Sequence, residues 1–431
     1  MAAKEEDNRL VHLDLKGAPP KIEYLEQIFP LFKKWGATGL LIEYEDMFPY
    51  TGELAELASE YAYSKEGIER ILQLAEDNDL LVVPLVQTFG HLEFVLKHEK
   101  FKSLREMSNV PTALCPSNPD SITAVSMMID QVIDLHPGLR WFHIGADEVF
   151  HLGICERCKK RMEEENITLQ QLFFSHTRSV LLYIKEKYPS LTAIMWDDML
   201  RFTELPVLLD IWEKFSKVFP NIWIGSAFKG ATGSCLYVTN ISFHIDNHLA
   251  WLSVIQKEKL KFQNIRGFAV TGWQRYDHYA ILCELLPQAL PSLGICLNVI
   301  NKGTFTQEIH TSVSNDLKFN TDIPPCDFPG SEIYSDMLHF VHLEVAYEDY
   351  FHNEGKITWM NEYHVKRNFI NPVHVEPLLA QGVSPDCRTV FPDIFYDHTI
   401  EEWLEVFINP KIRKLSKMVE LVRTQLDSDR D

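Results

Sequence analysis

The stretch LLVVPLVQ, residues 80–87, decides the fold class of this chain. It is a continuous apolar run of strand length, and the segments that flank it, such as residues 65–75, repeat their apolar residues three and four apart as helices do. A strand that is apolar throughout is typical of a parallel sheet that helices cover on both faces. The stretch therefore indicates an α/β protein.

The same alternation continues on both sides of this run. Strands are predicted at residues 11–15, 39–44, 80–87, 141–145, 191–196, 222–227 and 267–273, and helices between them at 65–75, 121–135 and 169–187. Strands that alternate with helices form parallel βα units, in either a barrel or an open doubly wound sheet. The open sheet usually carries a glycine-rich phosphate loop, and the sequence has no GxGxxG or Walker motif. We therefore predict a (β/α)8 barrel of the TIM type.

The number of strands is one short of a complete barrel. The interval between Trp196 and Ile222 has room for a single βα unit, in which residues 206–211 could form a short strand. We expect one strand of the barrel to be degenerate or missing. After residue 301 the alternation stops, and helices are predicted at 337–350 and 401–425. Residues 1–300 are assigned to the catalytic barrel and residues 301–431 to a C-terminal helical region.

The composition narrows the choice of partners. The 431 residues include 41 Lys+Arg and 61 Asp+Glu, which gives a formal charge of −20. That charge argues against nucleic acids and anionic membranes, but it permits a neutral ligand such as a sugar. No apolar secretory signal and no run of about 18 apolar residues is present. We expect a cytoplasmic or nuclear protein whose eight cysteines are reduced.

Two metal-binding interpretations find little support in the sequence. Cys155 and Cys158 form a CxxC motif, but no second pair follows at the spacing of a zinc finger. A metallohydrolase set of His91, His143, Asp147 and Asp197 lacks the His-x-His that would end the first strand and a lysine that bridges two metals. We therefore predict a site that uses no metal or other cofactor.

Two adjacent acids, Asp147 and Glu148, give the strongest chemical signal. They follow the predicted strand 141–145 directly, where a barrel builds its active site. Two close carboxyl groups titrate together, so one can stay protonated near neutral pH and act as general acid toward a glycosidic oxygen. The structural alternative is a helix start, where acidic residues favour the positive end of the helix dipole.

Polar and aromatic residues at the other strand ends support the chemical interpretation. Trp196 and Trp273 close predicted strands, where an indole ring can stack on the apolar face of a sugar. His91 follows a strand and a glycine, which favours a position in the site. The predicted substrate-binding residues are Asp14, Glu45, His91, Trp196, Asp198, Trp273, Arg275 and Tyr276.

These motifs together resemble glycoside hydrolase family 20, the β-N-acetylhexosaminidases. The resemblance rests, in order along the chain, on Gly90-His91, on His143-Ile-Gly-Ala-Asp147-Glu148, on Trp196-Asp197-Asp198 and on Trp273. It covers most of residues 9–300 and returns near residues 401–404. It implies a (β/α)8 barrel that releases terminal β-linked GlcNAc or GalNAc with retention.

The resemblance also implies a mechanism without a protein nucleophile. The 2-acetamido oxygen of the substrate attacks the anomeric carbon and forms an oxazolinium ion. By position, Glu148 is the general acid and base, and Asp147 accepts the acetamido N–H and stabilises the positive charge. Trp196 and Trp273 are expected to form the walls of the sugar pocket.

Three departures from the family pattern qualify these expectations. Gly145-Ala146 stands where most members have two glycines. The arginine that many members use after the first strand is missing from Lys16-Gly17, and Arg275 is a candidate replacement. The short interval between Trp196 and Ser226 resembles an internal deletion. The alternative function is therefore a catalytically impaired sugar-binding or scaffold protein on the same barrel.

Overall fold

The computed structural model describes residues 8–197, 211–234, 236–319, 326–348 and 394–410, together with residue 413. Its strands are β1 (Asn8–Asp14), β2 (Gly39–Glu43), β3 (Leu81–Leu85), β4 (Arg105–Met107), β5 (Val110–Leu114), β6 (Trp141–His143), β7 (Thr192–Ile194), β8 (Asn221–Lys229) and β9 (Asn264–Gly272). Strands β4 and β5 pair with each other as an antiparallel hairpin, and the other seven form one parallel sheet.

Helices follow the strands as the apolar spacing predicts. They are α1 (Ile22–Lys34), α2 (Lys65–Asp77), α3 (Glu93–Leu96), α4 (Pro119–Leu135), α5 (Glu156–Glu165), α6 (Leu169–Lys187), α7 (Ile211–Val218), α8 (Ile241–Glu258), α9 (Leu286–Lys302), α10 (Gln307–Asp316), α11 (Ser331–Glu348) and α12 (Asp397–Trp403). Local sequence fixes several starts: Ser64 caps α2, and Thr168 with Gln171 forms a capping box on α6. None of the described helices is both long and apolar enough to cross a membrane.

The parallel sheet has the strand order of a barrel with one position unfilled among the described residues. The order is β7-β6-β3-β2-β1-β9-β8. Strands β1 and β9, which are first and last along the sequence, therefore pair with each other, and the sheet curls. Strands β7 and β8 are its two edges. The fold prediction is confirmed as a barrel-like α/β sheet with an incomplete ring. Of the predicted strand at 206–211, Ile211 begins α7, and the other residues lie outside the described ranges.

Apolar side chains fill the inside of the curled sheet. Alternate residues of the strands point inward and form one cluster: Leu10, Leu41, Val83, Leu85, Trp141 and Ala269. The rings of Trp141 on β6 and Trp223 on β8 meet edge to face, with centroids 5.2 Å apart. Two strands that are not neighbours in the sheet are thus joined across its interior by aromatic packing.

Segments beyond residue 300 pack back on the barrel. The backbone N–H of Lys21 donates to the carbonyl of Ile394 at 2.8 Å, and the hydroxyl of Thr399 donates to the carbonyl of Gly17 at 2.9 Å. Residues 337–348 of the predicted helix 337–350 belong to α11, which begins six residues earlier, and the last two lie outside the described ranges. The predicted helix 401–425 is helical as far as residue 410, and most of its remainder lies outside the described residues. The domain boundary at residue 300 stays a prediction.

Candidate active site

The loops that follow β3 and β6 touch each other at the mouth of the barrel. A Cβ atom on Gly90 would overlap the carbonyl oxygen of Asp147, so only glycine allows this approach. Ala146 and Glu148 have positive φ angles of 72° and 49°, which non-glycine residues rarely adopt. These sharp turns let two consecutive acidic residues approach the same histidine, although on a regular strand they would point to opposite faces.

Three titratable side chains meet at this contact. His91 Nε2 lies 3.2 Å from Glu148 Oε2 and 3.8 Å from Asp147 Oδ2. The Glu148 side chain is 38% exposed, whereas that of Asp147 is 16% exposed. Asp147 Oδ1 is buried and has no hydrogen-bond partner among the described residues. The predicted catalytic pair is therefore one solvent-accessible carboxyl group beside a largely buried one.

The environment raises the pKa values of His91 and Asp147. Burial alone would lower the pKa of His91, but its hydrogen bond with Glu148 and the charge of Asp147 raise that pKa to about 9. Burial raises the pKa of Asp147 to about 6, although the nearby His91 charge opposes that shift. At neutral pH, His91 is therefore protonated and Asp147 is mostly ionised.

A buried lysine lies among the carboxylates that follow β1 and β2. Lys16 is 2% exposed, and its Nζ is 2.8 Å from Asp14, 3.6 Å from Glu45 and 3.8 Å from Glu43. Burial alone would lower the pKa of Lys16, but the three carboxylates raise it well above its ordinary value. Lys16 therefore supplies a cation directly after the first strand, where the sequence lacks the expected arginine.

Hydrogen bonds connect this lysine cluster to the acidic loop. Gln87 donates from Nε2 to Glu43 Oε1 at 3.1 Å and accepts with Oε1 from the backbone N–H of Ala146 at 3.3 Å. His12 Nε2 lies 3.1 Å from the second oxygen of Glu43. The chain Lys16–Glu43–Gln87–Ala146 thereby fixes the loop that carries the catalytic pair relative to strands β1 and β2.

A second set of buried groups surrounds Glu45. His278 Nδ1 lies 3.1 Å from Glu45 Oε2, and its Nε2 lies 2.9 Å from Lys97 Nζ. Burial raises the pKa of Glu45, and burial with the charge of Glu45 raises the pKa of Glu93 to about 7. The sequence did not assign roles to Glu93 or His278. The signal that points to Glu93 is its position two residues after His91.

Two predicted tryptophans form an aromatic wall beside these groups. Trp196 and Trp273 have ring centroids 5.9 Å apart, and Trp196 packs 4.4 Å from the ring of His143. Lys16 Nζ lies 5.6 Å from the centroid of Trp273. The indole Nε1 of Trp196 is buried and has no hydrogen-bond partner among the described residues. The wall therefore carries one unused donor.

Two predicted binding residues, Arg275 and Tyr276, do not join this cluster, and a third lies outside the described residues. The guanidinium of Arg275 forms a two-pronged ion pair with Glu402 and also donates to the carbonyl of Ala280, so it links the barrel rim to α12. Tyr276 is 43% exposed on the loop after β9. Asp198 lies outside the described residues.

The alternative metallohydrolase set does not form a group of close ligands within the described part of the chain. His91 pairs with the two acids of the catalytic loop. His143 accepts a hydrogen bond at Nδ1 from the backbone N–H of Gly145 at 3.0 Å, and burial lowers its pKa to about 3. His143 is therefore a neutral residue beneath the aromatic wall.

Known proteins resemble this chain in sequence and in fold. Residues 30–230 match the catalytic domain of glycosyl hydrolase family 20. The chain is 41% identical to hexosaminidase D of Homo sapiens over 457 aligned positions, which cover 96% of this chain and 93% of that protein. It is 47% identical to hexosaminidase D of Bos taurus over 333 positions, which cover 71% of this chain and 96% of that protein.

A solved structure supports the fold. The chitobiase of Flavobacterium johnsoniae superposes with a TM-score of 0.53 at 16% identity, and the match covers 86% of this chain and 56% of that chain.

The human alignment is longer than this chain: 457 positions exceed 431 residues by 26. The human relative therefore has residues that this chain lacks. That they fall in the short interval after Trp196 stays a prediction.

Proposed function

The chain belongs to glycosyl hydrolase family 20, and on that premise we propose that it removes terminal β-linked GlcNAc or GalNAc by the retaining, substrate-assisted route. One observation carries the proposal. Two buried polar atoms beside the catalytic loop have no partner among the described residues: the acceptor Asp147 Oδ1 and the donor Trp196 Nε1. An acetamido group offers the complementary pair, an N–H and a carbonyl oxygen.

In the first step, the acetamido oxygen attacks the anomeric carbon while the glycosidic bond breaks. Glu148 transfers a proton to the departing oxygen, and the acetamido carbon and nitrogen take up the positive charge. Asp147 is the group suited to this charge, because its ionised oxygens lie in a water-poor setting where electrostatic stabilisation is strong. In the second step, Glu148 takes a proton from water as the water oxygen bonds to the anomeric carbon. The bond from the acetamido oxygen to that carbon breaks, which opens the oxazolinium ring.

The proton that Glu148 needs is available from His91. In the free protein the protonated imidazole favours the ionised form of Glu148, which is the form required for the second step. A bound sugar excludes water from His91 and Glu148. Without water, the charged form of this pair is less stable relative to the form in which both groups are neutral. The proton can then move over the 3.2 Å between Nε2 and Oε2. His91 therefore prepares Glu148 for both roles.

The impaired sugar-binding protein is the less favoured function. The described residues already bring the two acids, His91 and the two tryptophans to one mouth without residues 198–210. The incomplete ring therefore leaves the proposed catalytic groups assembled.

Substitution of the general acid tests the proposal with two substrates. Glu148→Gln should lower kcat/KM about 10²–10⁴-fold on a disaccharide, whose leaving group needs a proton. The loss should be much smaller on a nitrophenyl glycoside, whose leaving group departs as an anion. Asp147→Asn should slow both substrates to a similar degree, because it acts on the oxazolinium.

Glu69→Gln, an exposed change on α2, is the matched control and should leave both rates unchanged. Binding of a thiazoline analogue measures whether the pocket survives in each variant. Full activity in Glu148→Gln would overturn the proposal. Tight thiazoline binding by the wild-type protein without any turnover would also overturn it and favour the impaired protein.

A further inference from the structure

Three sulfur atoms and one carboxylate meet on the side of the barrel. Cys115 follows the β4–β5 hairpin, Cys155 and Cys158 lie at the start of α5, and Glu106 is the middle residue of β4. Cys115 Sγ lies 3.4 Å from Cys155 Sγ and 3.5 Å from Cys158 Sγ. Cys158 Sγ lies 3.1 Å from Glu106 Oε2. All four ligand atoms are within 4.8 Å of one another.

These separations suit a single tetrahedral ion. With metal–sulfur bonds of about 2.3 Å, two ligands of a tetrahedral zinc ion are roughly 3.8 Å apart. The sulfur atoms and the carboxylate oxygen of this cluster lie at or close to that spacing, so small side-chain adjustments would complete the geometry. A disulfide between Cys115 and one other cysteine would account for only two of the sulfur atoms. It would leave the position of the third thiol and of the buried Glu106 carboxylate unexplained.

The surrounding backbone holds the carboxylate and one sulfur in place. Glu106 Oε1 accepts from the backbone N–H groups of Ile154 at 2.7 Å and Cys155 at 3.0 Å, which leaves Oε2 turned toward the sulfur atoms. The backbone N–H of Cys158 donates to Cys155 Sγ at 3.3 Å, at the N-terminus of the ten-residue helix α5. Such outer hydrogen bonds are typical of metal ligands and fix their orientation.

We propose that Glu106, Cys115, Cys155 and Cys158 bind one Zn²⁺ ion in a structural site. Three thiolates select a soft or borderline ion over Mg²⁺ and Ca²⁺, and four protein ligands leave no open position for catalysis. The four negative charges are offset by the ion and by the positive end of the α5 dipole. The spacing of the CxxC motif alone could not reveal the site, because Cys115 and Glu106 lie 40 and 52 residues from their partners.

The ion would hold both loops of the candidate active site. Strand β5 is bonded to the His91 loop: Leu92 N donates to Thr112 O at 3.0 Å, and Leu114 N donates to Phe89 O at 3.3 Å. Cys155 follows Glu148 by seven residues on the acidic loop. Zn²⁺ thus ties the far ends of the two loops that meet at Gly90. The proposal that zinc positions the two active-site loops rests on the proposed function. The proposal that zinc is bound does not.

Metal analysis of purified full-length protein is the primary test. We expect one equivalent of zinc in the wild-type protein and at least a tenfold lower content in Cys155→Ser, whose altered side chain is only half-buried. Cys296→Ser is the control: it removes a thiol that is fully buried but lies outside the cluster, and it should keep one equivalent. Glu148→Gln should keep one equivalent too, so loss of glycosidase activity and loss of metal are separable.

Three measurements that do not need Cys155→Ser keep the test valid if that variant does not fold. A thiol-reactive mercurial should release one equivalent of zinc, and replacement by Co²⁺ should give a thiolate-to-cobalt charge-transfer band. A strong chelator should lower the Tm of the wild-type protein and of Cys296→Ser. Protein that contains no zinc after zinc-supplemented expression, or that carries iron or copper or a disulfide at these cysteines, would overturn the proposal.

Discussion

The paired side and the open side of the barrel are built differently. Strand β2 bonds to β1 and β3 over five residues each, and all of its residues are buried. Among the described residues, β7 bonds only to β6 and β8 only to β9, and Thr192 and Asn221 at their starts are exposed. The charged groups of the site follow strands that are paired on both edges. Of the aromatic wall, Trp196 follows the edge strand β7, whereas Trp273 follows β9, which pairs with both β1 and β8.

This division follows from what the two kinds of side chain require. A buried charge is tolerated only with partners at fixed distances, and strands that are bonded on both edges provide such distances. An aromatic wall works through dispersion and shape, which tolerate small displacements. An unpaired edge in the described part of the sheet is therefore compatible with an intact ionic centre, because only Trp196 of the site follows an edge strand there.

The largest expected effect comes from removing the cation on the paired side. Lys16→Met leaves Asp14, Glu43 and Glu45 close together and buried without their counter-ion. We expect the free energy of unfolding to fall by about 3–5 kcal/mol. Urea denaturation measures it, with Lys34→Met as control: Lys34 pairs with Asp316 at the surface, so its loss should cost less than about 1 kcal/mol. Equal effects at both lysines would contradict the comparison.

Interior packing should be less sensitive on the open side. Leu41→Ala on β2 should lower the free energy of unfolding by about 2–5 kcal/mol, because the cavity lies between fixed strands. Ile194→Ala on β7 removes a half-buried side chain of the same cluster and should cost roughly half as much. Urea denaturation of both variants checks this. A larger loss of unfolding free energy in Ile194→Ala than in Leu41→Ala would show that the core depends more on the edge strand β7 than on β2.

The pH dependence of kcat/KM should report the ionic centre. Asp147 must be ionised, so activity should fall about tenfold per unit below pH 6, and His91 must be protonated, so it should fall above about pH 9. Because the folded pKa of His91 is raised, its contribution to stability is present below its ordinary pKa and lost as the pH rises through about 9. In His91→Gln, this loss of stability should be absent, and the alkaline limb of activity should move to lower pH, because Glu148 must then hold the proton without the imidazole.

The smallest effect is expected at the aromatic wall. Trp196→Phe keeps a ring but loses the indole N–H and part of the stacking area. We expect KM for an aryl N-acetylhexosaminide to rise about three- to tenfold with little change in kcat, as 0.5–1.5 kcal/mol of contact is lost. Trp251→Phe on α8 is the control and should leave KM unchanged. A collapse of kcat in Trp196→Phe would place this tryptophan in the chemistry rather than in the wall.

Much of the fold could be predicted because it depends on local pattern. The apolar runs at residues 80–87 and 39–44 locate β3 and β2 to within one or two residues, and the predicted helix 169–187 coincides with α6. The β4–β5 hairpin was missed because its strands are three and five residues long and their register shifts. Short strands of mixed polarity give no periodic signal.

The site was predictable where its residues directly follow predicted strands. Asp147 and Glu148 are adjacent in sequence, and their meeting with His91 follows from two strand ends at one rim. Lys16 was overlooked as the cation, and Arg275 was proposed instead. The guanidinium of Arg275 turns to Glu402, a residue 127 positions away. Contacts of that separation depend on how the C-terminal segment packs, which residue spacing does not encode.

The edge-to-face contact of Trp141 and Trp223 also has an optical consequence. Two indoles with centroids 5.2 Å apart couple their electronic transitions, and excitation energy passes between them readily. Because one ring comes from β6 and the other from β8, the near-ultraviolet circular dichroism of the pair is sensitive to the distance across the incomplete ring. The protein thus contains its own chromophore for measuring the separation of β6 and β8 in solution.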